Sequence, residues 1–506
     1  QHGSGWLGNG VEVNTVKRMY DDFMASQARS SSSTFSQLDT FAAQVQRVNN
    51  LFGDSSTGLT ASLQNFTNAL QSVASSPTSI PARQTLLSQG QALVSRLQSY
   101  DSSLDSLDTQ VNVQLDAEAS TISTLATGIA KLNQEISAGY ARSGQPPNDL
   151  LDQRDRLLDE LSTHVNVSTV KQGDNSVNVF IGNGQPLVVG QTASRLAAVA
   201  DSFDPTRRVI ALQTATSSID VTDNLTGGTL GGTIDFRQQV LEPARNSLGK
   251  FSVGLAQAMN DQHAAGMDLQ GNLGGDFFAV GSVAVQASSV NAGSASLAVT
   301  RTGAGALTNA DYLMTYTATG WTAQRADTGA AVTLTGAGTV ASPFVAEGLS
   351  IVVSGTPQVG DRLKILPTAD AVDGLAVVVT DPSEVAAAAP IVASSASANT
   401  GTGTITPGEV LDAGNAQLRS TVTIRFLTAT TYSVNGAGSF AYASGGNIDV
   451  NGWRVQVSGS PAVGDAFTVA DNTAGAGDNR NAVRLTAVLN QPVFSNGTTS
   501  LNAAVG

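Results

Sequence analysis

The sequence predicts an α+β multidomain protein in which an elongated helical bundle or coiled-coil rod carries inserted β-rich domains. Three observations lead to this fold class. Apolar residues recur at spacings of three, four and seven over residues 16–165 and again over 228–278. Between and after these stretches, apolar and polar residues alternate and are punctuated by Gly and Pro. One pattern within the last stretch occurs twice, which predicts two β-domains related by an internal repeat.

Three helices are predicted in the first part of the chain. Residues 16–52 carry Phe23 and Leu38 in a helical pattern, and residues 59–73 form a second helix that ends before Pro77. The third runs from 83 to 137 with few breakers, and it is longer than ordinary globular helices. These lengths predict a rod.

A fourth helix is predicted over residues 148–165, with Asn148 as its N-cap. Its carboxylates are Asp149, Asp152, Asp155, Asp159 and Glu160. Such a cluster is found in acid–base and metal sites, but no histidine at ligand spacing accompanies it. The structural interpretation is favoured: a leucine stripe packs, Arg154 lies on that stripe and needs a buried partner, and the acids are solvated or paired with Arg154 and Arg156.

The rest of the chain divides at changes of period. A helical seam with 3.5-residue spacing returns from Gly231 to Ala258, where Pro243 should kink or break the helix. The predicted domains are a discontinuous helical rod (1–165, 228–278 and 476–506), a small β-domain (166–227), a β-domain (279–370), a connecting segment (371–396) and a second, repeat-related β-domain (397–475).

The internal repeat consists of two strand–turn–strand segments. Residues 348–365 and, 104 positions later, residues 452–469 both contain the pattern Val-Ser-Gly-X-Pro-X-Val-Gly-Asp. A shared pattern of this length at matching places in two β-rich blocks is unlikely by chance.

Composition excludes several classes of function. The chain has 40 acidic and 26 basic residues, a net charge of −14, so nucleic-acid binding is not expected. It has no cysteine, no apolar run long enough to span a membrane, and two internal histidines, His164 and His263, far apart in sequence. Residues 266–272 begin like a calcium loop, but the later ligand positions fail and a turn is predicted. We therefore predict no enzyme and no catalytic, cofactor-binding or metal residues.

Several segments resemble the flagellar hook-associated proteins, specifically the family of junction proteins on the hook side of the hook–filament joint. They are residues 8–13 with 18–23, 148–155, 260–271 closing with Phe277 and Phe278, and 477–482. The resemblance implies a structural protein that joins hook to filament in the extracellular flagellum. It also implies secretion, with contacts to the hook protein and to the filament-side junction protein and self-association in a junction layer.

The resemblance carries two further expectations. The family's terminal helical segments, which pack as an inner coiled-coil layer, are not recognised here, so an export chaperone would bind at an absent C-terminal segment. Two alternatives are the filament-side junction family, which shares a motif like residues 148–155, and a surface adhesin whose β-domains bind a glycan.

Overall fold

A computed structural model describes residues 18–53, 58–214, 217–473 and 475–505. The chain divides into two compact units. The first unit comprises Gln1–Asn50 and Leu104–Glu242, and the second comprises Leu51–Ser103 and Pro243–Gly506. The fold class is α+β, with long helices and several antiparallel sheets.

Eight helices occur in the described parts of the chain, and the long ones lie where the apolar period predicts them. They are α1 (Asp22–Phe52), α2 (Leu59–Ser75), α3 (Ile80–Ser143), α4 (Asn148–His164), α5 (Gly228–Phe236), α6 (Glu242–Ala264), α7 (Arg480–Ala487) and α8 (Leu501–Val505). The third helix is 64 residues long, and Gly128 does not interrupt it. None of the described helices combines the length and the apolar character needed to cross a bilayer.

The helix ends differ from the prediction at the connection between α3 and α4. The third helix ends at Ser143 because Gly144 has a left-handed φ of 64°, a conformation that stops helices, and its amide bonds to the Tyr140 carbonyl. The prediction that Asn148 is the N-cap of α4 is wrong. Pro147 occupies that position, since its carbonyl accepts the first helical hydrogen bonds from Leu150 and Leu151.

The helical segment around Pro243 is continuous, so the break expected there as one of two alternatives does not occur. A π-helical turn, Arg237–Leu241, connects α5 to α6 in the turn before the proline. Proline has no amide hydrogen, so it cannot continue the regular bonding pattern, and the extra residue of a π-turn accommodates this loss. Arg237 in that turn is buried, and its guanidinium donates to Oδ1 of Asn112 and to the Arg208 carbonyl.

Seven strands of the first unit form two antiparallel sheets. They are β1 (Val167–Lys171), β2 (Val177–Ile181), β3 (Gln185–Val189), β4 (Thr192–Ala193), β5 (Arg195–Ala200), β6 (Arg208–Gln213) and β7 (Ser218–Asp220). The first sheet has the order β1-β2-β3-β4 and the second β5-β6-β7. Alternate residues of β2 are buried, as expected for a sheet with one face on a core.

The second unit contains the remaining strands described here. In the first β-rich region they are β8 (Phe278–Ala279), β9 (Ala284–Ala287), β10 (Ser296–Arg301), β11 (Tyr312–Thr317), β12 (Gly320–Arg325), β13 (Ala331–Val332), β14 (Phe344–Ala346), β15 (Leu349–Ser354), β16 (Arg362–Leu366) and β17 (Ala376–Val377). Beyond these lie β18 (Ile391–Ser395), β19 (Thr404–Ile405), β20 (Glu409–Val410), β21 (Val422–Thr428), β22 (Thr431–Val434), β23 (Ala437–Ala441), β24 (Asn447–Val450), β25 (Trp453–Ser458), β26 (Ala466–Asp471), β27 (Pro492–Phe494) and β28 (Thr499–Ser500).

The two β-rich regions of this unit share a strand order. One five-stranded sheet has the order β9-β16-β11-β12-β13, and the other has β18-β26-β21-β22-β23. The repeated segment is strand–turn–strand in both, but its two strands belong to different sheets and do not form a hairpin. A side-chain network recurs at the turn. Oδ1 of Asp361 accepts the Ala292 amide at 2.9 Å, and Oδ1 of Asp465 accepts the Thr400 amide at 2.8 Å.

Candidate functional site

The face that α1 presents to the first unit is polar, contrary to what its apolar spacing suggests. Arg29, Ser33 and Gln44 are buried, whereas the aromatic ring of Phe23 is 74% exposed. Gln44 donates to Oε1 of Gln114 on α3 at 3.0 Å. Arg29 and Gln44 therefore hold this face by an ion pair and a hydrogen bond, and Val48 is its buried apolar member.

The carboxylates of α4 bind arginines that precede or belong to α1. Nε of Arg29 donates to Asp159 at 2.7 Å, and Nε of Arg18 lies 2.9 Å from Asp152. Asp155 receives both guanidinium groups, and its side chain is largely buried. The predicted exposure to solvent is confirmed for Asp149, Asp152, Asp159 and Glu160 and is wrong for Asp155. The predicted pairing with Arg154 and Arg156 is wrong, because sequence spacing within α4 could not show arginines more than a hundred positions earlier.

Arg154 is buried with a partner, which confirms the prediction made for it. Its Nη1 donates to Oδ1 of Asn133 on α3 at 3.2 Å and to the Asn175 carbonyl at 2.8 Å. Burial lowers the pKa of Arg154, and the Asp155 carboxylate opposes this shift. The guanidinium stays charged because an arginine side chain does not lose its proton in proteins.

Asn133 is the residue that the sequence reasoning missed. It is fully buried, and its Nδ2 donates to the carbonyls of Val177 at 2.8 Å and Gly190 at 2.7 Å. Its Oδ1 accepts from the Val177 amide as well as from Arg154. A signal was present, because Asn133 follows Ile129 by four positions on the apolar stripe of α3, the same kind of placement that singled out Arg154.

The opposite face of α1 carries a seam of exposed side chains, not covered by the part of the chain that the structure describes, which we call the α1 seam. Its members follow the alternating three- and four-residue spacing of a coiled coil and are Met24, Ala28, Ser31, Phe35, Leu38 and Ala42. All six are exposed, with Phe35 at 69% and Leu38 at 61%. No charged side chain stands on the seam, so water contacts a mainly apolar stripe that a second helix could bury.

In the second unit, the segment that follows α6 is fixed by side-chain hydrogen bonds to the backbone. Oδ1 of Asn260 accepts the amides of Phe277 and Phe278, each at 2.9 Å. Both rings pack near Phe66, with centroids 6.0 and 5.9 Å away. The segment that ends in Phe277 and Phe278 therefore stabilises the packing of this unit.

Gln262, His263 and Asn481 form a cluster around the Ala386 backbone. Nε2 of His263 accepts the Ala386 amide at 2.9 Å, while Nδ1 lies 2.8 Å from the Gly275 carbonyl and donates to it. Asn481 donates to the Ala386 carbonyl at 2.6 Å and accepts from Gln262. A Cβ on Gly266 would lie 2.0 Å from Nδ2 of Asn481, so only glycine fits there.

Comparison with known proteins decides the family. A family model described as "Flagellar hook-associated protein FlgK helical domain" matches residues 45–278. Flagellar hook-associated protein 1 of Escherichia coli (strain K12) is 34% identical over 446 residues, which are 87% of this chain and 77% of that protein. That of Salmonella typhimurium is 36% identical over 389 residues, 76% of this chain and 70% of that protein. The chain belongs to the FlgK family of flagellar hook-associated proteins.

A solved structure agrees with this assignment to the FlgK family. The flagellar hook junction protein FlgK from Burkholderia pseudomallei has a TM-score of 0.86 at 32% identity, covering 95% of this chain and 93% of that one. As a FlgK-family member, the chain is a non-enzymatic structural protein of the hook–filament junction in the extracellular flagellum. These matches do not support the filament-side junction family or a glycan-binding adhesin.

The segments that carried the resemblance to the FlgK family have different places in the structure. Residues 8–13 lie outside the described residues. Residues 18–23 and 148–155 meet in the ion-pair network of Arg18 and Asp155, and residues 260–271 meet 477–482 at Asn481. The signature motifs of this FlgK-family chain are thus contacts that hold each unit together.

Histidines and acids form no metal cluster of three or more in the parts of the chain that the structure describes. His164 pairs with Oε2 of Glu118 at 2.7 Å. The segment that begins like a calcium loop is a turn closed by Asp268, whose Oδ1 accepts the Asn272 amide at 2.8 Å. The prediction of a turn at this position is confirmed.

The His263 environment makes the second unit sensitive to acid. Burial lowers the pKa of His263, so the folded state favours the neutral ring that the Ala386 amide requires. Stability from this group is present above the unfolded pKa of about 6.5 and is lost as pH falls through the folded pKa. Between pH 7.5 and 5, the melting temperature should fall more for the natural chain than for His263→Gln. Parallel curves would show that His263 does not titrate on unfolding.

Asp101 on α3 should destabilise the second unit at neutral pH. Burial, together with the carboxylates of Asp373 and Asp370, raises the pKa of Asp101 to about 6 against the opposing charge of Arg245. Its stabilising contribution is complete below the unfolded pKa of about 4 and is lost as pH rises through about 6. Asp101→Asn should therefore increase the free energy of unfolding at pH 7 by about 3 kcal/mol. Urea unfolding at pH 7 and pH 4 tests this, since the gain should vanish at pH 4; an equal gain at both values would refute it.

Proposed function

We propose that this chain contacts the flagellar hook protein on one side and the filament-side junction protein on the other, and associates with copies of itself in a junction layer. The observation that supports this most is the α1 seam, a coiled-coil spacing without a partner helix in the described residues. The net charge of −14 and the apolar seam favour protein partners over nucleic acid. We propose no insertion of the chain into a membrane.

The partner of the α1 seam is a second helix with the same spacing. Coiled-coil side chains insert into holes on a facing helix, and Phe35 and Leu38 are placed as neighbouring knobs. The resemblance to the hook-associated proteins implies such helices, because the terminal segments of that family are helical and become ordered on assembly. An export chaperone would bind the C-terminal helical segment before assembly, keeping an apolar surface covered during export.

We also propose the finer organisation that the sequence predicts: an elongated helical rod with inserted β-domains, divided at 166–227, 279–370, 371–396 and 397–475. The rod rests on the apolar period of the sequence. The relation between the two larger β-domains is supported by their common strand order and by the equivalent bonds of Asp361 and Asp465. The strand β18 precedes residue 397 but pairs with β26 of the second β-domain, so the chain enters that domain through β18.

Complementation tests the proposed function. A strain that lacks its hook-side junction gene should regain filaments and motility when the natural gene of this chain is supplied. The source strain is the host of choice, because its hook and filament proteins have the matching partner surfaces. Electron microscopy should show filaments attached to hooks. Bare hooks with flagellin free in the medium, despite secretion of the chain, would contradict the proposal.

A further inference from the structure

Two adjoining cavities of the second unit form one groove. Their volumes are about 440 and 420 Å³, and both are lined by Ala265 at the end of α6 and by Val410 of β20. The first continues to Val483 and Arg484 of α7, and the second continues past Leu411. We call this continuous depression the β20 groove.

The β20 groove exposes apolar side chains at both ends. Leu411 is 49% exposed and Val483 is 51% exposed, so neither belongs to a hydrophobic core. Between them, β20 pairs only with β25 among the described strands, which leaves its other edge open. An open strand edge flanked by apolar side chains is the geometry by which an extended peptide adds to a sheet.

At its α7 end the groove is lined by three arginines and one carboxylate, Glu409, so positive charge is in excess there although the chain as a whole is strongly acidic. Arg454, Arg480 and Arg484 line it, while the carboxylates that pair with the first two, Asp449 and Asp478, are not part of the lining. Arg484 is the least tightly held of the three. Its Nη1 lies 4.0 Å from Glu409 and its Nη2 is 3.4 Å from the Gly408 carbonyl, so its donors can turn to a closer carboxylate.

We propose that the β20 groove binds an extended acidic peptide segment of a neighbouring flagellar subunit. The segment lies along the open edge of β20, places apolar side chains against Leu411 and Val483, and pairs a carboxylate with Arg484. This proposal rests on the proposed function, since it supplies a surface for the contacts within the junction. It differs from the α1 seam in chemistry, because recognition here depends on charge and strand pairing.

A photo-crosslinking experiment tests the groove. In a motile strain, the natural gene is changed so that a benzophenone amino acid is incorporated in place of Leu411. Isolated flagella that carry filaments are then irradiated. We expect a product with a second flagellar chain, reduced about tenfold or more by Arg484→Glu and retained with Arg484→Lys. The same amino acid at Val340, which is 85% exposed, is the control and should give no such product.

The outcomes separate this proposal from the proposed function. Filament-bearing flagella without a Leu411 product, or with a product that Arg484→Glu leaves unchanged, would overturn the groove and leave the junction role intact. Failure to form filaments with the natural chain would instead overturn the junction role. The melting temperature of Arg484→Glu should stay within about 2 °C of the natural value, which excludes unfolding as the cause of a lost product.

Discussion

Replacing both Phe35 and Leu38 by aspartate is expected to leave the fold intact and to leave most hooks without filaments. Both side chains are more than half exposed in the described structure, so their loss removes little buried area, and such surface changes usually alter stability by less than about 0.5 kcal/mol each. On a helix–helix seam, however, two carboxylates would be buried without partners. We expect the fraction of filament-bearing hooks to fall below about a tenth.

The measurement pairs electron microscopy of hooks with thermal unfolding of the isolated chain. Val113→Asp is the matched control, because Val113 is an exposed apolar residue of the same unit, on α3 and outside the α1 seam. The control should retain its filaments. A double aspartate variant with normal filaments would mean that the seam is not a contact surface, and a large fall in its melting temperature would mean that the seam is already covered in the free chain.

The second large effect is expected on stability, from Asn133→Ala. This change removes four hydrogen bonds at once, two donated to the carbonyls of Val177 and Gly190 and two accepted from Val177 and Arg154. It also leaves the buried Arg154 guanidinium with fewer acceptors. Because unsatisfied buried groups cost more than the net value of the bonds, we expect a loss of about 3 kcal/mol or more in the free energy of unfolding.

Denaturant unfolding followed by circular dichroism measures this loss. Gln110→Ala is the control on the same helix, since Gln110 also accepts a side-chain bond, from Arg47 at 3.0 Å, but in an exposed position. The control should cost less than about 1 kcal/mol. Equal, small losses for both variants would show that Asn133 does not hold α3 to its neighbours.

The helices could be predicted because apolar period and length are properties of the sequence itself. The face of α1 could not be assigned in the same way. Its apolar spacing predicts a buried stripe, and of that stripe Val48 is buried but Leu38 is exposed. Arg29 and Gln44 are buried instead, because carboxylates and amides of α3 and α4 pair with the polar face. The apolar period of a helix shows that an apolar seam exists. Which face of the helix is buried depends on residues far away in the sequence.

The repeat shows the same limit at the level of β-structure. The pattern around Asp361 and Asp465 predicts strands and a relation between two regions, but not that the strands belong to different sheets. A second pair of equivalent residues lies beside the repeat: Asn291 and Asn399 each donate to the carbonyl and accept from the amide of the residue that follows the repeated aspartate. The spacing between these asparagines differs from that of the aspartates, so a search at one fixed offset misses it.

Covering of the α1 seam on assembly can be measured by cysteine labelling, because the chain has no cysteine of its own. A single cysteine at Phe35 should react readily with a maleimide in the isolated chain. In filament-bearing flagella it should react about tenfold more slowly, while a cysteine at Val113 reacts in both states. Unchanged reactivity at position 35 in flagella would contradict the account.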